Sequence, residues 1–232
     1  MNDDGSLKEK LDAIAATRGY VMAHHGVMAL TAPALLDAYD TIFKATKRDF
    51  TLMSQFERNL VWIMVVATQQ IPLGGHHVKD FIGCGGTIGQ VETVAALAAF
   101  LVGAKGFNDY AASWQAVAAE LDFDATYRRS ITAISRTADK PIPEGVLEVA
   151  LAAAQSCRQN WVRVADHIRG AKKAGVADEL LAAGLNIVLL PGGSPVFVQA
   201  CTVWRELIRT RAVEASDPFR YWAELPDPAP AK

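Results

Sequence analysis

Glu148 and His167 are the pair of residues best suited to acid/base chemistry. An imidazole titrates near neutral pH, and a carboxylate can orient it and fix its tautomer. One straight helix would hold the two side chains about 28 Å apart, so they can cooperate only if the chain turns back near residues 156–160. The alternative is structural: Glu148 would charge the first turn of a helix that begins after Pro143, and His167 would pack beside Arg169.

His76 and His77 form a second candidate site, because they follow a turn at residues 72–75 and should lie at the start of a helix. Free backbone N–H groups at a helix start can hold an anion, such as a substrate carboxylate. Lys79 is a candidate to neutralise that carboxylate, unless it lies on a solvated outer face. Consecutive helical residues point about 100° apart, so one histidine at most should face a given pocket. The alternative is that both lie on the surface.

The histidines and cysteines do not predict a metal site or a disulfide framework. A metal site built from the His24-His25 and His76-His77 pairs is conceivable, but no two histidines have the four-residue spacing that brings ligands together on a helix. Cys84, Cys157 and Cys201 lie far apart and form no CxxC pair. We therefore expect no metal and no cofactor, and a reducing cytoplasmic location.

Charge and hydropathy exclude several classes of partner. Lys plus Arg (23) nearly balance Asp plus Glu (25), and the net charge of -2 gives no footprint for nucleic acid or an anionic membrane surface. The longest apolar run, Leu60–Ala67, is too short to cross a bilayer, which needs about 20 residues. The polar, acidic N-terminus lacks the features of a signal peptide, so we expect no export.

Helices must position the candidate residues, because apolar side chains recur at helical spacing almost everywhere. The predicted helices cover residues 6–17, 32–47, 54–71, 76–83, 88–103, 107–120, 144–157, 159–173, 177–190 and 195–212. Leu60–Ala67 and Leu185–Leu190 are rich in β-branched residues and could be buried strands, but their neighbours favour helix. The sequence therefore predicts an all-α fold.

An offset of 90 residues aligns the second half of the chain with the first. The matched pairs are His77 with His167, Val78 with Ile168, Lys79 with Arg169, Gly85 with Gly175, Gly103 with Gly193 and Trp114 with Trp204. An apolar helix with a carboxylate near its start precedes each histidine. The pattern predicts two tandem copies of a helical unit.

The order of these segments resembles the AhpD-like superfamily, which holds alkylhydroperoxidases and carboxymuconolactone decarboxylases. Residues 19–39 are similar to its leading helices, the stretch from Glu57 to Val94 is similar to its core helical unit, and the stretch from Glu148 to Leu180 is similar to that unit again. The resemblance implies an all-α fold that is usually oligomeric, with sites between helices and at subunit contacts.

The chain departs from the redox motif of that superfamily, in which a glutamate is followed by two cysteines and a histidine. Glu148 and His167 stand at the family's spacing, but Asn160 and Arg163 hold the two cysteine places. In the first copy the glutamate place falls at Arg58 or, with one deletion, at Asn59 or Glu57. Thiol peroxidase chemistry needs a reactive cysteine and a resolving partner. What remains is similarity to the cysteine-free decarboxylase branch.

These observations predict a carboxymuconolactone decarboxylase-like lyase that acts on a small carboxylated or lactone substrate without a cofactor. The expected catalytic residues are His77, His167, Glu148 and Glu57, and the expected substrate-binding residues are His76, Lys79, Asn160, Arg163 and Arg169. The alternatives are a peroxidase-related protein that has lost its thiol chemistry and a non-enzymatic oligomeric binding protein. We expect a homo-oligomer, either a trimer or a dimer, that binds neither nucleic acid nor membranes.

The predicted organisation has one compact body built from the two copies. Its parts are an N-terminal segment (1–18), a first repeat (19–122), a connection (123–143), a second repeat (144–214) and a C-terminal tail (215–232) that becomes loose from Pro226 onward.

Overall fold

Helix is the only regular secondary structure in the part of the chain that the computed structural model describes, residues 4–48 and 51–226. The predicted all-α class is thereby confirmed, and Leu60–Ala67 lies within a helix rather than a strand. The chain forms two compact units, which divide between Asp49 and Phe50. This division falls inside the range 19–122 that the sequence predicts as one repeat.

The first unit contains three helices: α1 (Asp4–Arg18), α2 (Ala23–Thr31) and α3 (Pro33–Arg48). One buried residue from each, Ile14, Ala29 and Leu36, makes its small core. An ion pair of 2.8 Å between Lys10 and Asp37 joins α1 to α3.

The second unit contains ten helices among its described residues. They are α4 (Gln55–Thr68), α5 (Gly75–Gly83), α6 (Ile88–Gly103), α7 (Gly106–Gln115), α8 (Phe123–Ser135), α9 (Glu144–Cys157), α10 (Trp161–Lys173), α11 (Asp178–Asn186), α12 (Ser194–Arg209) and α13 (Asp217–Glu224). Short 3-10 turns at Pro72–Gly74 and Ile187–Leu189 precede α5 and follow α11.

Helix α9 lies at the centre of this unit. Residues 149–157 are all buried, and the helix packs against α4, α10 and α11. Its consecutive alanines, 152–154, carry no bulk beyond Cβ, so neighbouring helices can approach closely on several sides. Side chains that α9 directs toward α10 are therefore removed from water.

Three helices, α2, α8 and α13, lie outside the predicted helical ranges, and α2 fills the gap between the predicted helices 6–17 and 32–47. Helix α8 lies in the predicted connection 123–143, and it forms because Asp122 caps its first turn by accepting the N–H of Ala125 at 2.8 Å. Helix α13 lies in the predicted tail 215–232, where Phe219 and Trp222 pack against Trp204 of α12. Residues 227–232 of that tail lie outside the described residues.

Candidate acid/base site

The chain turns back between α9 and α10, which is the reversal that Glu148 and His167 need in order to meet. Gln159 produces it by adopting a left-handed conformation (φ 54°), and the N–H of Asn160 closes the helix end on the carbonyl of Gln155. The hydroxyl of Ser156 bonds instead to the carbonyl of Ala152, so it does not cap α10.

Glu148, His167 and Tyr127 form a continuous chain of hydrogen bonds. The Glu148 carboxylate lies 2.6 Å from Nδ1 of His167, and Nε2 of the same ring lies 2.7 Å from the Tyr127 hydroxyl. Gln155 donates its side-chain N–H to the tyrosine oxygen at 3.0 Å. A carboxylate only accepts, so the neutral imidazole carries its proton on Nδ1 and accepts the Tyr127 O–H at Nε2.

Helix α8 supplies the third side of the site and a cation. Arg128 donates to Glu148 at 2.8 Å and to the backbone carbonyl of Asp166 at 2.7 Å. A single side chain of α8 thus bonds to Glu148 on α9 and to the backbone of α10.

Burial and charge set the protonation of this group. Burial is the largest influence on the pKa of His167 and lowers it, although Glu148 acts in the opposite direction. Burial would raise the pKa of Glu148, but His167 and Arg128 outweigh it and lower this pKa. Burial also raises the pKa of the Tyr127 hydroxyl far above its ordinary value. At neutral pH the site therefore holds a neutral imidazole, a carboxylate and a protonated phenol.

Arg163 lies against the tyrosine rather than in open solvent. Its guanidinium carbon is 4.3 Å from the centre of the Tyr127 ring, and only 2% of the side chain is exposed. It pairs with Asp124 at 2.7 Å and with Asp166 at 2.9 Å. A substrate anion at Arg163 would have to share the guanidinium with these two carboxylates.

Two polar atoms next to Tyr127 have no hydrogen-bond partner among the described residues. They are the side-chain oxygen of Gln155 and Nε of Arg163, and both are buried. Leaving a buried polar group unpaired costs about 1–3 kcal/mol. One acceptor and one donor are therefore available there for a small polar molecule.

Gly170 makes room for the Glu148 carboxylate. A Cβ at this position would lie 2.5 Å from the carboxylate carbon and from one of its oxygens. A larger residue at this position of α10 would require the Glu148 carboxylate to shift.

The remaining predicted residues on α10 lie at the margin of the site. Asn160 is buried and precedes α10, but its side chain makes no capping hydrogen bond. Arg169 is about half exposed and lies 3.3 Å from Asp166. The structure therefore brings Glu148, His167 and Arg163 together around Tyr127 and leaves Arg169 on the outer side of Asp166.

The other predicted histidine has different surroundings. His77 is buried on α5, where its ring stacks on Trp62 at 4.6 Å and lies 3.9 Å from the ring of His76. Lys79 is exposed on the same helix. Glu57 accepts the N–H of Ser54 at 2.8 Å and so caps α4. Among the described residues, no hydrogen bond or ion pair joins Glu57 to His77.

Two of the three thiols are unsuited to redox chemistry. Burial raises the pKa of Cys157 to about 12 and that of Cys201 to about 11, so both stay protonated at neutral pH. Cys84 donates to the carbonyl of Phe81 and accepts from Asn59. Across the described ranges, no group of three or more His, Cys, Asp or Glu side chains is arranged to hold a metal ion.

Sequence reasoning missed four residues of the site: Tyr127, Arg128, Gln155 and Asp166. A signal for the first two was present, because Phe123, Tyr127, Ile131 and Ile134 follow Asp122 at helical spacing and predict a capped amphipathic helix. No spacing rule indicates Gln155 or Asp166.

Comparison with protein-family models, with curated proteins and with solved structures finds no match to this chain. Within the described residues, none of the helices has the length and apolar character needed to span a membrane.

Proposed function

We propose that this chain is a carboxymuconolactone decarboxylase-like lyase, in which His167 and Glu148 move a proton on a small carboxylated or lactone substrate without a cofactor. The observation that carries the proposal is the hydrogen-bonded chain from Glu148 through His167 to Tyr127. It joins a carboxylate, a neutral imidazole and a phenol, which are the parts of a general acid/base catalyst.

Proton transfer in this proposal runs through the Tyr127 hydroxyl. When the carbon–carbon bond to the substrate carboxylate breaks, CO2 leaves and the electron pair stays on the remaining carbon. The phenol proton of Tyr127 moves to that carbon, and a proton that Nε2 of His167 takes up from solvent then passes to the tyrosine oxygen and restores the phenol. Glu148 stabilises the transient imidazolium, and Gln155 holds the tyrosine oxygen in place.

Membership in the AhpD-like superfamily, and the two tandem copies, belong to the same proposal. A glutamine in left-handed conformation lies two residues beyond the end of each of the helices α4 and α9: Gln70 (φ 55°) and Gln159 (φ 54°). Helices α5 and α10 are both followed by a left-handed glycine, Gly85 and Gly175. The two glycines lie 90 residues apart and the two glutamines 89, so these shared features support the alignment at an offset of 90 with a shift of one residue after α4 and α9. The order of the helices supports it as well.

The proposal includes a cytoplasmic homo-oligomer, either a trimer or a dimer. Sedimentation at micromolar concentration tests the assembly, and a monomer would contradict it.

Turnover of defined probes tests the activity. We would measure CO2 release from a set of β-keto acids and carboxylated γ-lactones, together with exchange of solvent deuterium into the remaining carbon. His167→Gln should lower the rate at least about a hundredfold, the usual size of an acid/base contribution. Lys173→Gln, which changes an exposed residue of the same helix, should leave it unchanged. Activity that survives both His167→Gln and His77→Gln would exclude this mechanism.

Glu148→Gln tests the positioning role of the carboxylate by a readout other than rate. The amide would donate to Nδ1 of His167, so the neutral ring would carry its proton on Nε2 instead. Nitrogen-15 NMR of the histidine ring distinguishes the two tautomers. An unchanged tautomer would show that Glu148 does not set the state of the imidazole.

A non-enzymatic protein is the second candidate, because His167 and Tyr127 are completely buried in the chain. The network would then serve only to join α8, α9 and α10. Failure of every probe to release CO2 or exchange deuterium would favour this candidate over the lyase.

A further inference from the structure

A cavity of about 310 Å³ lies between α11, α12 and α13. Four of the eight residues that line it are aromatic: Phe197 and Trp204 come from α12, and Phe219 and Trp222 come from α13. The Trp204 ring lies 5.0 Å from Phe219 and 5.6 Å from Trp222, and the last two rings meet edge to face at 6.2 Å. Its size is at the lower end of the range of small-molecule sites, about 300–1,000 Å³.

Hydrogen bonds to the end of α13 hold this wall in position. Arg209 donates to the carbonyl of Ala223 at 2.5 Å and to that of Leu225 at 2.8 Å. Arg205 also donates to Ala223. Two arginines of α12 thus bind the last carbonyl groups of α13, where cations stabilise a helix.

Trp204 carries a buried polar group, its indole N–H, that a ligand could bind. Its side chain is 3% exposed and lines the cavity. Its indole N–H is buried and has no hydrogen-bond partner among the described residues. An unpaired buried donor is costly, and an acceptor atom on a bound molecule would satisfy it.

The lining excludes charged ligands. None of the residues that line the cavity is Asp, Glu, Lys, Arg or His. Burial keeps the Cys201 thiol neutral by raising its pKa to about 11. An ion placed there would lose its hydration without gaining a counter-charge. Asn186, which is exposed, is the polar residue of the lining.

We propose that this aromatic cavity binds a neutral, planar aromatic molecule that bears one acceptor oxygen, which takes the N–H of Trp204. The rings of Phe219 and Trp222 contact the ligand faces and edges, and the acceptor sets its orientation. This site is separate from the acid/base group and does not depend on the lyase proposal.

A matched pair of probes tests the proposal by calorimetric titration. 2-Acetylnaphthalene carries the acceptor oxygen, and 2-ethylnaphthalene has nearly the same shape without it. The acetyl probe should bind about tenfold more tightly, the worth of one hydrogen bond. Trp204→Phe should weaken binding of the acetyl probe about tenfold. It should change the affinity for the ethyl probe by no more than about threefold. Trp161→Phe, which changes an indole outside the cavity, should alter neither.

A second measurement uses the unchanged protein, in case Trp204→Phe does not fold. The indole N–H resonance of Trp204 should move downfield with the acetyl probe and not with the ethyl probe. Cys201→Phe should fill the cavity and abolish binding of both. Equal affinity for the two probes, binding that persists in Cys201→Phe, or no binding of either up to its solubility would overturn the proposal. Sedimentation in which α12 and α13 variants change only the oligomeric state would assign the cavity to a contact between copies instead.

Discussion

The regions around His167 and His77 have similar backbones and different chemistry. Each histidine lies on a helix that follows a buried helix ending at a left-handed glutamine. However, Glu148 corresponds to Arg58 at an offset of 90 and to Asn59 at the offset of 89 that the two glutamines share, and neither is a carboxylate. His167 bonds to a carboxylate and a phenol, whereas His77 stacks on Trp62. The two regions thus hold a histidine at similar backbone positions, and in the region of His167 a carboxylate faces it.

The two regions also differ at the position that lies against Glu148 in the region of His167. Gly170, beside Glu148, corresponds to Asp80 at an offset of 90. Asp80 is exposed on α5 and carries a side chain where Gly170 carries none. The Glu148 carboxylate and Gly170 therefore fit each other closely.

The largest expected difference concerns the two glutamates, Glu148 and Glu57. Glu148→Ala removes the carboxylate to which both Arg128 and His167 bond in a buried site. The free energy of unfolding should therefore fall by about 3–5 kcal/mol. Glu57→Ala removes one hydrogen bond of the α4 cap, and the loss should be about 1 kcal/mol. Urea unfolding at pH 7 measures both. Equal losses would mean that Glu148 is no more than a helix-start residue.

Much of this architecture can be predicted from the sequence. Helical spacing and the turn residues locate most of the helices, and the spacing of Glu148 and His167 is enough to pair them, given a reversal near residues 156–160. These features are local, since a cap, a turn or an apolar stripe is encoded within a few neighbouring residues.

The partners of the acid/base pair could not be predicted in the same way. Tyr127 reaches His167 across 40 residues of chain, and Arg128 reaches Glu148 across 20. Such contacts depend on how α8 packs against α9 and α10, which no short spacing records. Arg163 shows the same limit, since its place in the family motif does not record that Asp124 and Asp166 pair with it.

Gly170→Ala tests the close approach of α9 and α10 at the site. The added Cβ would meet the Glu148 carboxylate at 2.5 Å, and overpacking of this kind costs about 1–3 kcal/mol. Gly83 is a matched control, because a Cβ there meets nothing within 4 Å. Gly83→Ala should be neutral or should stabilise the protein by up to about 1 kcal/mol through helix propensity. Thermal unfolding compares the two, and stabilisation by both would show that Glu148 moves away without cost.

Acid should destabilise the protein through the His167 region. The folded-state pKa of His167 is below its ordinary value of 6.5, so the unfolded chain binds a proton first. The free energy of unfolding should therefore fall as the pH drops through about 6.5, by at most about 1.4 kcal/mol per pH unit for one group. Glu148, whose folded-state pKa is also lowered, adds a further loss below about 4.5.

Paired variants assign that dependence to one histidine. Urea unfolding between pH 7.5 and 5.0 should show a smaller decrease for His167→Gln than for the unchanged protein. The free energy of unfolding of His77→Gln should still show the share of this decrease that is due to His167 and is absent from His167→Gln. A decrease that is the same in all three proteins would assign it to other groups.

The smallest expected effect is the difference in coupling free energy between the stacked pair Trp62–His77 and the hydrogen-bonded pair Glu148–His167. Double-mutant cycles measure the coupling of two side chains once their separate contributions are subtracted. Trp62→Leu combined with His77→Leu should give about 0.5–1.5 kcal/mol, the worth of an aromatic pair beyond its buried area. Glu148→Gln combined with His167→Gln should give about 1.5–3 kcal/mol, the range of hydrogen bonds to a charged group. Couplings of equal size would mean that the hydrogen bond from Glu148 to His167 is worth no more than the stacking of Trp62 on His77.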